Sequence, residues 1–107
     1  MVSRVNFLET TPDRIAAVAD VVRDVVHPGI SGEPGYVGYI VLANRETGKA
    51  IGVTLWESED ARESSDTKAR QIRPRVEAAT EGTMRSVEQY EVLFFDIRSE
   101  YGSAGKT

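Results

Sequence analysis

Gly48-Lys49-Ala50-Ile51-Gly52-Val53-Thr54-Leu55-Trp56-Glu57-Ser58-Glu59-Asp60-Ala61 decides the fold of this chain. Side chains alternate along an extended strand, so Ile51, Val53 and Leu55 share one face, while Ala50, Gly52, Thr54 and Trp56 share the other. One face is filled and aliphatic; the other is small until it reaches the only tryptophan. Ser58 then offers a hydroxyl cap, and Glu59 and Asp60 lie where a helix N-terminus favours negative charge. The stretch reads as a strand running directly into a helix, with room for a cavity on the strand's small face.

Working outward, Asn44-Arg45-Glu46-Thr47-Gly48 is turn chemistry, and Gly35 to Ala43 before it reads as a strand, which makes a β-hairpin. Upstream, Val2 to Glu9 alternates as a first strand. Thr10-Thr11-Pro12-Asp13 reads as a helix start with a hydroxyl cap and an early proline. Ile15, Val18, Ala19, Val22 and Val25 then recur at helical spacing, and His27-Pro28-Gly29 is expected to end that helix, with a loop over 30–34. Downstream, the helix capped by Ser58 extends to Thr80. Its acids lie early and its bases late, and Pro74 is expected to bend or interrupt it. A last strand is expected from Arg85 to Ile97. Residues 1–97 read as one domain and 98–107 as a loose, Gly- and Ser-containing tail.

The order is β-α-β-β-α-β, the split-βαβ or ferredoxin-like pattern: an α+β fold with an antiparallel sheet and both helices on one face. Simple alternation leaves Val5, Phe7, Val37, Tyr39, Val41, Ile51, Val53 and Leu55 on the other face. That is too much apolar surface for a soluble monomer. Each large side chain buried is worth about 1.5–3 kcal/mol, which predicts a homodimer packed through this face. Val92, Leu93, Phe94 and Phe95 put apolar groups on both sides of the last strand and point the same way.

Composition narrows function. The chain has 107 residues, one domain by length, and no cysteine, which removes disulfides, thiolate nucleophiles and cysteine-bound metals. A net charge of −4 disfavours a nucleic-acid partner. RNA-recognition domains share the element order, but they need aromatics where Ile51, Val53 and Leu55 stand. No apolar run approaches the roughly 18 residues of a membrane span, and Met1 to Phe7 lacks the apolar core of a signal peptide. A soluble cytoplasmic protein is expected.

The Gly35-Tyr36-Val37-Gly38-Tyr39-Ile40-Val41-Leu42 strand, the Gly52 to Ala61 junction and Tyr90-Glu91-Val92-Leu93 together resemble the antibiotic-biosynthesis-monooxygenase-like domains of the dimeric α/β-barrel superfamily. The resemblance spans about residues 2 to 97. It implies a ligand cavity between helices and sheet, lined by the small face around Thr54. Such domains include cofactor-free quinone-forming oxygenases, haem-degrading enzymes and many members of unknown activity.

The haem-degrading branch implies an asparagine on the first strand, a tryptophan late on the third and a histidine on the following helix. Asn6 and Trp56 match; the helix from Ser58 to Thr80 has no histidine, and His27 reads as a helix-end residue. Haem is therefore disfavoured, and neither metal nor cofactor is expected. The cofactor-free reading would use Asn6 as a hydrogen-bond donor, Trp56 as an aromatic wall with an N–H, and Arg70 or Arg73 to offset negative charge. Each has a plainer reading: Asn6 satisfying a backbone group, Trp56 anchoring the core, the arginines lining a solvated helix end, Tyr39 and Tyr90 packing. Asn6, Thr54, Trp56, Arg70 and Arg73 are the candidate pocket residues for a small apolar or aromatic ligand. The rival is a non-catalytic dimer that binds a metabolite or only supports structure, with Gly38 and Gly52 closing the pocket. No acid–base dyad, nucleophile–base pair or phosphate loop is present.

Overall fold

The computed structural model describes residues 1–102. It contains a four-stranded antiparallel sheet of β1 (Val2–Glu9), β2 (Tyr36–Asn44), β3 (Lys49–Trp56) and β4 (Thr83–Glu91), in the order β2-β3-β1-β4. This is the ferredoxin-like arrangement that the element order predicts. The helices pack together on one face, over a core of Leu8, Val18, Val21, Val26, Ile30, Ala50, Ile72 and Val76.

The first helix opens with a tight turn at Pro12–Arg14 and continues as α1 (Ile15–Val21). It passes through a π-helical stretch at Val22–Val26 and finishes as α2 (His27–Ile30). His27-Pro28-Gly29 therefore lies inside the helix rather than ending it. Pro28 directly follows the π-helical stretch, where the ladder of helical hydrogen bonds is already irregular. Gly29 serves packing: a Cβ there would stand 2.8 Å from Ile72 Cδ1 on the neighbouring helix. The helix does begin after Thr11, although no side chain caps it. The Thr10 hydroxyl instead donates to Thr80 O at 2.7 Å.

Ser58 caps α3 (Glu59–Ser64) as expected, its hydroxyl accepting from the Ala61 amide at 3.1 Å. The break in this segment falls at Ser65, between α3 and α4 (Asp66–Thr80), and α4 continues through Pro74. Pro74 and Arg70, whose carbonyl the proline leaves without its helical partner, are both exposed residues.

Strand faces follow alternation on β1 and β3, where Arg4 pairs with Thr54 and Asn6 with Gly52 on the helix side. On β2 the expectation reverses. A bulge at Val37 lets Tyr36 pair with Trp56 and Gly38 with Leu55, so Tyr39 and Val41 fall opposite Thr54 and Gly52 on the helix side. The helix-free face thus carries Gly38, Ile40 and Leu42 in place of Val37, Tyr39 and Val41. The last strand also ends earlier than expected, at Glu91. Val92 adds one bond to Met1 O at 3.0 Å, and Leu93 to Ile97 leave the sheet, with Leu93 and Phe94 87% and 85% exposed. Apolar residues on both sides of a segment do not themselves create a strand partner, and β1 ends at Val2 beside it. Ser99–Gly102 form a short helical turn, α5; the tail's residues 103–107 lie outside the described residues.

Candidate functional site

A cavity of about 70 Å³, partly open to solvent, lies between the first helix, α4 and the helix side of the sheet. Val18, Val22, Val26 and Ile30 on the first helix, with Ile72 and Val76 on α4, make its apolar wall. Polar groups reach it from four places: Arg4 and Asn6 on β1, Tyr39 on β2, Thr54 on β3, and Arg73 on α4. Glycine at position 52 keeps the chamber open under Tyr39, since a Cβ there would approach the Tyr39 hydroxyl to 3.3 Å.

Three of the residues singled out from sequence meet here: Asn6, Thr54 and Arg73. The Asn6 amide donates to Gly52 O at 3.5 Å, the outer limit of a hydrogen bond, so it is only weakly committed. Trp56 and Arg70 are not among the lining residues. Trp56 is completely buried; its Nε1 donates to Thr54 Oγ1 at 2.9 Å, which turns the hydroxyl's own hydrogen elsewhere. Its ring meets Tyr36 edge-on at 5.8 Å, and Tyr36 meets His27 in the same manner at 6.4 Å. Arg70 is exposed one turn before Arg73 on α4.

Two polar lining residues, Arg4 and Tyr39, are not among the candidates that the sequence offers. Arg4 is 2% exposed. Its Nη2 donates to Arg62 O at 2.7 Å, Ser65 Oγ at 2.9 Å and Asp66 Oδ1 at 2.5 Å. These bonds fasten β1 to the α3–α4 junction. Burial lowers the Arg4 pKa, and the hydrogen bond to Asp66 works against that shift. Arg73 is also lowered, first by burial and then by the charge of Arg4. Both nevertheless stay cationic, as arginine does in proteins. Alternation already places Arg4 beside Asn6 and Leu8, but its carboxylate partner is far along the chain. Tyr39 was placed on the wrong face by the Val37 bulge. Burial raises its pKa, so its phenol remains protonated and available as a donor.

Within the lining there is no aspartate, glutamate or histidine. Among the described residues, no group of three or more histidine, aspartate or glutamate side chains is placed to hold a metal ion. The cavity lies well below the roughly 300–1,000 Å³ of a pocket for a drug-sized ligand, far less a haem, and its lining offers no histidine, so these residues do not fit a haem. Among the described residues no helix is long and apolar enough to cross a membrane.

Comparison with known proteins places this geometry in context. The family model for antibiotic biosynthesis monooxygenase matches residues 1–71. An uncharacterised protein of Mycobacterium tuberculosis is 34% identical over 84 residues, covering 77% of this chain and 37% of that protein. The chain thus spans little more than a third of the length of its curated relatives. A Streptomyces coelicolor monooxygenase, solved with nanaomycin D, superposes with a TM-score of 0.66 at 19% identity, covering 91% of this chain and 89% of that one. A cofactor-independent oxygenase from Streptomyces nogalater gives 0.65 at 16% identity, covering 88% and 94%. A haem degrader of Mycobacterium tuberculosis, with two haems in its active site, gives 0.65 at 20% identity, covering 92% and 100%. These structural likenesses show a shared fold. With 71 of 107 residues matched by the family model, the chain belongs to the antibiotic biosynthesis monooxygenase family.

Proposed function

We propose that this protein binds a small aromatic molecule between its helices and its sheet and oxidises it with molecular oxygen, without a bound cofactor. The cavity carries this reading: an apolar chamber walled by an amide, a phenol, a hydroxyl and two guanidinium groups, in a chain of this family. A phenolate is itself a reductant of oxygen. One phenol and one O₂ give one quinone and one water: a ring carbon loses its hydrogen and gains one oxygen atom, and the other oxygen leaves as water. The protein's task is to hold the ring out of water and favour the anion. The positive charge of Arg73 and Arg4 favours an anionic ligand, and the Tyr39 hydroxyl donates to the ring oxygen. Asn6 and Thr54 fix its orientation.

Oxygen uptake with simple phenols and hydroquinones tests the reading. Saturable uptake above the protein-free rate is expected, and it should fall in Arg73→Gln. Uptake indistinguishable from background for every compound that binds would refute the oxidation. It would favour the second reading, a non-catalytic binder, which the lack of any carboxylate or imidazole base in the lining supports.

We also infer a homodimer through the helix-free face of the sheet. Ile40 and Leu42 are 51% and 50% exposed there, beside Val5, Phe7, Ile51 and Val53, and a second copy of the same face would cover them. The absence of cysteine accords with a cytoplasmic location.

A further inference from the structure

The polar end of the cavity is unbalanced in charge. Arg4 and Arg73 line it; Arg62 and Arg70, which do not, add their charge to Arg4, Arg70 also acts on Arg73, and Asp66 is the carboxylate that offsets them. Among the described residues, the ion pair in this cluster is Arg4 with Asp66. The accumulation is notable in a chain whose net charge is −4.

The guanidinium groups are also short of acceptors. Every hydrogen bond that Arg4 makes leaves through Nη2, and its Nε is buried without a partner. Arg73 Nε is buried without a partner as well. Buried N–H groups are seldom left unpaired, and those of a cation least of all. Arg62 Nε, away from the cavity, is in the same state and all three atoms are closed off, so it is the lining itself, with two guanidinium groups and no carboxylate, that points to an anion supplied from outside the chain.

We propose that the ligand is a hydroxylated aromatic acid of one ring, its carboxylate held by Arg4 and Arg73 and its ring by the apolar wall. This rests on the cavity being a ligand site, as argued above. The planar fork of arginine suits a carboxylate, which accepts two N–H bonds side by side. Size sets the rest. At about 10–15 Å³ per enclosed water, the 70 Å³ cavity equals roughly five to seven water positions, which is one substituted ring and not a fused system.

Calorimetric titration of the intact protein with 4-hydroxybenzoate, 4-hydroxybenzamide and phenol tests this, with Trp56 fluorescence as a second readout. Hydroxybenzoate should bind at least about tenfold tighter than the amide at low salt. Arg73→Gln should reduce that preference, taken as the ratio of acid to amide affinity on the variant itself, to near unity. Arg4→Gln is a poorer probe because it also unties β1 from α4. If Arg73→Gln fails to fold, sodium chloride titration of the unmodified protein replaces it. Salt should weaken hydroxybenzoate and leave phenol unchanged. Equal affinity for acid and amide, or indifference to Arg73 or to salt, would overturn the charge assignment and leave the cavity reading standing. No binding by any of the three compounds would overturn both.

Discussion

The guanidinium carbon of Arg4 lies 5.7 Å from the centroid of the Trp56 ring, so a buried cation rests against a buried indole. The contact sits at the join between β1, β3 and the α3–α4 junction, and it makes Arg4 a structural residue as well as a cavity residue. Removing Asp66 would leave that cation enclosed without its counter-ion. Asp66→Ala should therefore destabilise the fold by about 3 kcal/mol, while Arg4→Met, which fills the same volume without charge, should cost distinctly less. Urea denaturation of both variants checks the order. An Arg4→Met variant less stable than Asp66→Ala would mean that packing, not charge pairing, dominates there.

Filling the floor of the cavity should abolish binding without unfolding the protein. Gly52→Val places methyl groups against the Tyr39 ring, at a typical overpacking cost of about 1–3 kcal/mol. Ring compounds that bind the unmodified protein should no longer do so, with the circular dichroism spectrum preserved. Retained affinity would move the binding site elsewhere.

The turn at Gly48 should be intolerant of any side chain. Its φ is +80°, and a Cβ there would stand 2.3 Å from Thr10 O, beside the bond from the Thr10 amide to Gly48 O at 2.9 Å. Gly48→Ala should cost about 2–4 kcal/mol. Gly32→Ala, where a Cβ meets nothing within 4 Å, should stay within about 0.5 kcal/mol. Thermal melts of the two variants make the comparison internal.

A charge on the helix-free face should separate the subunits. Ile40→Asp puts a carboxylate where a second sheet would pack, and a buried unpaired charge is costly. Sedimentation velocity at micromolar concentration should show a dimer for the unmodified protein and a monomer for the variant. A monomer in both cases would end the dimer inference.

The sequence made β1 and β3 legible because their side chains alternate without interruption. It misled on β2 through a single residue: the bulge at Val37 moves Tyr39 from one face to the other, and only Gly38 hints at it. Asn6, Thr54 and Arg73 could be found because strand alternation and helical spacing are local rules. Arg4 could not, because its environment is set by Ser65 and Asp66, about sixty residues away, and nothing nearby in the chain announces them. The end of the last strand was misjudged for a related reason. Leu93, Phe94 and Phe95 have strand-like composition, but a strand also needs a neighbour to pair with.

The π-helical stretch at Val22–Val26 has a consequence for the cavity wall. Val18, Val22, Val26 and Ile30 are spaced by four, and in an unbroken α-helix of 3.6 residues per turn each step would drift by about 40°. The wider turn in the middle takes back part of that drift, so all four side chains stay in one column facing the sheet. Deleting one residue between 22 and 26 would restore an ordinary helix, in which Val26 follows Val22 by three residues and falls about 60° out of line with it. The helix works as a ruler whose marks agree only because one interval was stretched.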